Sequence, residues 1–373
     1  MINKRTEHMN WDEVIGQQDV KARLMQLAGE ERIPHAIMLC GPVGSGKKAI
    51  ALAFASQLLN DSPMLRQWAH PDLHFVFPVI RPTGTSTDHK MISDDFLPEW
   101  RELLTQGPYF SMDQWLRKMN AANQQAQIGA GESDDLIRKL SLKSSQGGYK
   151  VCVCWQPERM NAECANKILK LLEEPPSHTV FLMVSDEPER LLETIRSRVQ
   201  RINLKRIDDQ AIEEALIRRR GIDTETAHRI ARVANGNWLR ALETLEPDNE
   251  NMQFLDMFKM LMRLAYMRNV KDLKKWSETV AAFGREKQKR MLGYFLQMVR
   301  ENFMYNFHIA DLSYMTNDEE AFAKNFARFI NEANVVEIAE LFQRVQRDVT
   351  QNANAKIEFY DMALQMIVLL IRK

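Results

Sequence analysis

Cysteine is scarce in this 373-residue chain. The four residues are Cys40, Cys152, Cys154 and Cys164, and no Cys-x-x-Cys pair occurs. That argues against a zinc ribbon or a disulfide-stapled scaffold, and no metal is expected. Three of the four lie in or beside apolar runs, where a reduced thiol behaves as a small hydrophobe, so a reducing, cytoplasmic setting is expected. Long apolar runs are missing too: nothing approaches the roughly 18 residues of a membrane span, and residues 1–10 lack the apolar core of a signal peptide. Neither membrane insertion nor secretion is expected. Net charge is also absent, because 50 Lys and Arg balance 50 Asp and Glu. A free-standing nucleic-acid binder would carry a positive field, so any DNA contact would be local or shared with partners.

What is present is an ordinary globular composition, 45% hydrophobic and 27% charged, long enough for two or three domains. Apolar runs at residues 36–40, 150–154, 180–185 and 199–204 alternate with helical patterns, a rhythm that predicts a parallel sheet with helices on both faces. Residues 61–131 break it with prolines at 63, 71, 78, 82, 98 and 108 and a polar tip at 83–88, and read as an insertion within a first domain, 1–204. Trp100, Tyr109, Phe110 and Trp115 in this stretch are expected to pack a small subdomain rather than to meet single-stranded DNA. A helical period follows, with Ile212, Ala215 and Leu216 on one face, then Ala227, Ile230, Ala231 and Ala234, bounded by Gly221 and Gly236; it predicts a small helical lid over 205–248. After a linker at 246–251, residues 252–373 read as all helical, and residues 359–371 are apolar nearly all round, as in a helix buried in a bundle or against a neighbour.

The chemistry concentrates in Gly41-Pro42-Val43-Gly44-Ser45-Gly46-Lys47-Lys48, between an apolar strand and an apolar helix. Glycines there let backbone N–H groups and a helix N-terminus cradle phosphate, and Gly41, Gly44, Gly46 and Lys47 fit the spacing of a Walker A loop. Lys48 does not, because that position should put a Ser or Thr hydroxyl on Mg2+. The strand at 150–154 then runs into Trp155 and Gln156, where a working site carries an Asp for the metal and a Glu for water. Neither residue is an anion, and an indole offers no oxygen to a hard cation. Glu158, past Pro157, is a poor replacement. No hydrolysis is expected, and no cofactor is required. Two readings of the loop stay open: a glycine turn that binds nothing, and a site that holds ATP or phosphate on Lys47, Lys48 and the helix dipole without turning it over.

Together these residues resemble the AAA+ clamp-loader family, and within it the delta-prime subunits of bacterial DNA polymerase III, over nearly the whole chain. Residues 11–17 (Trp-Asp-Glu-Val-Ile-Gly-Gln) look like the AAA+ N-terminal box. Pro34-His35-Ala36, His70-Pro71-Asp72 and the run from Asn166 through Lys170, Glu173 and Glu174 to Pro176 continue the match. The resemblance implies an α/β AAA+ P-loop domain, a helical lid and an all-α collar. Thr194-Ile195-Arg196-Ser197-Arg198-Val199 resembles the family's Ser-Arg-Cys motif, whose arginine reaches a neighbour's ATP, so Arg198 is the expected in-trans catalytic residue. Val199 stands where the motif has Cys, and the family's four-cysteine zinc module is absent. Leu239, with Arg240 beside it, takes the usual sensor-2 arginine position, and Ser185 or Asp186 takes the polar position of sensor 1. The implied partners are the gamma/tau and delta subunits of the loader, the sliding clamp and, through the complex, primer-template DNA. The alternatives are an active gamma/tau-like ATPase, opposed by Lys48, Trp155 and Gln156, and a non-replicative AAA+ adaptor, which would gain nothing from Arg198.

Overall fold

The computed structural model describes residues 9–30, 32–82, 84–86, 88–121, 124–245, 250–308 and 314–372. Residues 83 and 87 of the polar tip and 246–249 of the linker lie outside the described residues. The chain divides into two compact units, the second formed chiefly by the residues from 243 onward.

In the first unit, five strands form one parallel sheet: β1 (Ala36–Cys40), β2 (Leu73–Val76), β3 (Lys150–Trp155), β4 (Thr179–Ser185) and β5 (Gln200–Asn203), ordered β2-β3-β4-β1-β5. Strands β1, β3 and β4 are buried along their whole length, which is why they read as unbroken apolar runs instead of alternating ones. Alternation survives in where the side chains go. Ile37, Leu39, Val151, Val153, Leu182 and Val184 face α2 (Lys47–Leu58) on one side. Ala36, Met38, Cys152, Cys154, Phe181 and Met183 face α5 (Ala130–Ser141) and α6 (Ala162–Glu173) on the other. Helices thus cover both faces, the predicted α/β architecture, and α1 (Gln18–Gly29) packs on α2. All four thiols are buried.

The stretch read as an insertion contributes one strand of this sheet. Leu73-His74-Phe75-Val76 is β2, paired with β3 at the edge, and only four residues long among prolines, too short for its period to stand out. Beyond it, α3 (Leu97–Gln106) and α4 (Met112–Lys118) gather around Trp100 and Trp115, which are 1% and 0% exposed. Trp100 stacks on Phe77 with centroids 4.2 Å apart and meets Trp115 edge-on at 5.3 Å, and Trp115 Nε1 donates to the Pro78 carbonyl at 2.7 Å. These aromatics are buried, as expected, but in the core they share with α2 and the sheet instead of in a separate subdomain.

After the short helix α7 (Glu193–Arg196) and β5, the lid is built from α8 (Asp209–Arg220), α9 (Thr224–Ala234) and α10 (Trp238–Thr244). Gly236, at φ 77°, turns the chain after α9 where a Cβ would lie 2.4 Å from that of Arg206. The second unit holds α11 (Glu250–Tyr266), α12 (Val270–Ala281), α13 (Arg285–Tyr305), α14 (Asn317–Phe326), α15 (Val335–Thr350) and α16 (Ala355–Leu369). Its core is aromatic and methionine-rich: Phe258, Trp276, Phe295, Phe342 and Phe359 with Met291, Met298, Met362 and Met366. Helix α16 is less enclosed than its composition implies, since Ile357 and Val368 remain exposed.

Candidate functional site

The P-loop leaves the carboxyl end of β1, an interior strand between β4 and β5, and the carboxyl ends of the strands are where open parallel sheets bind ligands. Gly41, Gly44 and Gly46 all have positive φ. Two of them are also sites of close approach: a Cβ on Gly41 would sit 2.7 Å from the Leu204 carbonyl oxygen, and one on Gly44 would sit 1.7 Å from Asn237 Oδ1. The lid therefore lies directly against the loop, and Trp238 N–H donates to the Gly44 carbonyl at 3.1 Å. The N-terminal box clamps the other side. Gln17 Nε2 donates to the carbonyls of Ser45 (3.2 Å) and Lys205 (2.7 Å), and Trp11 Nε1 donates to Gln57 Oε1 at 3.0 Å.

The two lysines that the sequence places at the phosphates are otherwise engaged. Lys47 Nζ folds back on its own loop, donating to the carbonyls of Gly41 and Pro42 at 2.6 Å each, and pairs with Asp186 Oδ1 at 2.8 Å. Lys48 points away from the loop into a box of rings. Its Nζ lies 2.9 Å from the Phe110 centroid, 4.3 Å from Trp155 and 5.5 Å from Trp100, and donates to the Phe110 carbonyl at 3.1 Å. Burial drives its pKa well below the ordinary lysine value, with Asp186 opposing. The expectation that Lys48 adds positive charge for an anion is corrected here: aromatic rings, not the loop, surround its amine.

At the end of β3, Trp155 forms one wall of that box, while Gln156, in a left-handed conformation, turns its side chain to the loop's counter-ion. Gln156 Nε2 donates to Asp186 Oδ2 at 3.0 Å, and Arg159 Nε donates to Gln156 Oε1 at 2.7 Å. A polar chain thus runs Arg159–Gln156–Asp186–Lys47. Of the two sensor-1 candidates, Asp186 reaches the P-loop lysine, whereas Ser185 is fully buried in the strand. Glu158 Oε1 accepts the backbone N–H groups of Asp186 (2.8 Å) and Glu187 (3.1 Å), which makes it a support for the turn after β4. Sequence reasoning did not see Tyr109 as part of this site. Its hydroxyl accepts the Ile15 N–H at 3.0 Å, and its hydroxyl oxygen and ring edge lie 3.5 and 3.7 Å from where a Gly46 Cβ would be.

Arg198 follows α7 at the entrance to β5. Its Nη2 pairs with Glu173 Oε1 at 2.6 Å and its Nη1 donates to the Thr194 carbonyl at 2.8 Å. The side chain is 35% exposed, so it is braced without being buried. Glu173 closes α6, the helix that carries the Asn166-to-Pro176 run, and Asn161 caps its other end by accepting the Cys164 N–H. Arg240 lies on α10, where its N–H donates to Asn237 Oδ1 at 3.2 Å.

Residues 16–208 match the family model described as DNA polymerase III, delta subunit. Curated relatives include the DNA polymerase III subunit delta' of Pseudomonas aeruginosa, 31% identical over 173 residues that cover 46% of this chain and 44% of that one. Subunit delta' of Bacillus subtilis is 25% identical over 256 residues, 64% of this chain and 63% of that one. Subunit tau of the same organism is 27% identical over 202 residues, 54% of this chain and 30% of that one. The chain spans less than two thirds of the length of each of these relatives. The family model covers more than half of the chain, which therefore belongs to the DNA polymerase III delta-prime family of clamp-loader subunits.

Proposed function

We propose that this chain is a catalytically silent stator of a polymerase III clamp loader, giving Arg198 in trans to ATP held by a gamma/tau-type neighbour. The observation that carries the silence is the contact between Lys48 and Trp155. Where an active site sets a hydroxyl and a carboxylate around Mg2+, an amine lies 4.3 Å from an indole. Neither group ligates a hard cation, so hydrolysis has no metal to work with. Arg198 supports the other half of the reading. A partly exposed guanidinium, fixed by Glu173 and a backbone carbonyl, is pre-organised to stabilise charge on a transferring phosphoryl group, a contribution of about 10³ to 10⁵ in related enzymes. The helices from residue 250 on serve as the collar that joins gamma/tau and delta subunits, and the assembled loader places the sliding clamp on primer-template DNA.

Steady-state ATP hydrolysis by the isolated chain tests the silence. No turnover above background is expected, with or without Mg2+. Turnover that disappears in Lys47→Ala would return the chain to the active ATPases.

A further inference from the structure

We infer that the nucleotide site of this chain is filled by the chain itself: Tyr109 and Phe110 lie across the P-loop as an intrinsic plug, latched by Lys48, and the loop takes neither nucleotide nor phosphate.

Four independent contacts close the cradle. Lys48 Nζ is held among the rings of Phe110, Trp155 and Trp100 and donates to the Phe110 carbonyl, which pins the plug to the first turn of α2. Tyr109, one residue earlier, packs beside Gly46, accepts the Ile15 N–H and meets Trp238 edge-on with centroids 6.2 Å apart. Asn237 fills the space over Gly44. Lys47, which in a working loop would reach the outer phosphates, is saturated by two carbonyls and Asp186. Ser45, Lys47 and Lys48 are 0%, 4% and 7% exposed as a result. A phosphate must approach the N–H groups of this turn directly, so it cannot enter without displacing Tyr109 and Asn237.

The same contacts tie the lid to the core. Trp238 bonds to Gly44 and faces Tyr109, so protein groups alone fix the lid against the loop. A core and lid joined in this way hold one geometry whatever the ATP concentration, which suits a fixed arm of a machine whose other members respond to nucleotide.

The plug deepens the silent-site reading, and the two can fail separately. Titration of the full-length chain with a fluorescent mant-ADP is expected to give no saturable binding up to millimolar concentration, with Mg2+ or without. Saturable binding without hydrolysis would overturn the plug and leave the silence intact. In Tyr109→Ala/Phe110→Ala, hydrogen exchange at the amides of residues 45–48 should accelerate at least tenfold over wild type, and unchanged exchange in a folded variant would contradict the latch. A measurement on the unaltered chain covers the case in which that variant fails to fold. Acetylation of native protein, read by mass spectrometry, should modify exposed Lys170 at least a hundredfold faster than Lys48, and comparable rates would refute enclosure of Lys48.

Discussion

Arg198 is braced by Glu173, Nη2 to Oε1 at 2.6 Å, so the last turn of α6 sets the direction of the guanidinium that follows α7. Because Glu173 ends α6 and lies outside the sheet, its effect on the proposed arginine finger is separable from folding. Glu173→Gln should therefore lower ATP turnover of an assembled loader several-fold while changing the stability of the chain by less than about 1 kcal/mol, the usual range for an exposed pair. Unfolding by urea and steady-state turnover, measured on the same preparation, check both halves. Arg198→Lys should not restore what Arg198→Ala loses, since an ammonium lacks the planar fork of donors.

Glu132 predicts a pH dependence. It is 3% exposed, and its Oε2 accepts the Ser93 N–H at 2.5 Å and the Ser93 hydroxyl at 2.8 Å. Burial, outweighing those bonds, raises its carboxyl to about 7. Between the ordinary glutamate value and about 7 the folded chain then binds more protons than the unfolded one, so stability present at low pH is lost as pH rises through that window. At about 1.4 kcal/mol per pH unit the effect is capped at roughly 3 kcal/mol. Urea unfolding followed by tryptophan emission should fall in midpoint from pH 5 to pH 7 in wild type and stay flat in Glu132→Gln. Six of the seven tryptophans precede residue 243, so emission reports chiefly on the unit that holds Glu132.

Lys48 should behave as a core residue. Lys48→Met keeps most of the volume inside the aromatic box and should cost less than about 1.5 kcal/mol, whereas Lys48→Ala leaves a hole and should cost about 2 to 4 kcal/mol. Thermal unfolding of the two variants ranks them, and a Met variant weaker than the Ala variant would contradict the packing role.

A chain ending at Leu245 lacks nearly all of the second compact unit. It should fail to co-purify with loader subunits that capture the full chain.

Much of this was legible in the residues. Strands β1, β3 and β4 are interior and buried on both faces, so their unbroken apolar runs stood out, and the lid helices α8 and α9 showed their Ala and Ile faces, one stopped at Gly221 and the other before Gly236. The glycine loop and the missing anions at Trp155 and Gln156 are local in sequence and could be read directly. Strand β2 could not, because four residues at a sheet edge give a period of 2 too little room. Nor could the fate of Lys48 be read. Its partners Phe110, Trp100 and Trp155 lie between 52 and 107 residues away, and only folding brings the excursion back over α2. A lysine read as a cation for phosphate became the anchor of an aromatic box. Asp186 was half legible: it was one of two candidates for the polar position after β4, and the ion pair with Lys47 distinguishes it from Ser185.

The proposed stator acts on a neighbour's ATP and not on its own. DNA- and clamp-stimulated ATP hydrolysis by a reconstituted loader, compared for wild type, Arg198→Ala and Lys47→Ala with equal assembly confirmed, tests it most directly. A fall of about 10³-fold or more is expected at each site that Arg198 serves, seen as a large loss of turnover in Arg198→Ala, with turnover close to wild type in Lys47→Ala. Full activity in Arg198→Ala, or a loss confined to Lys47→Ala, would contradict it.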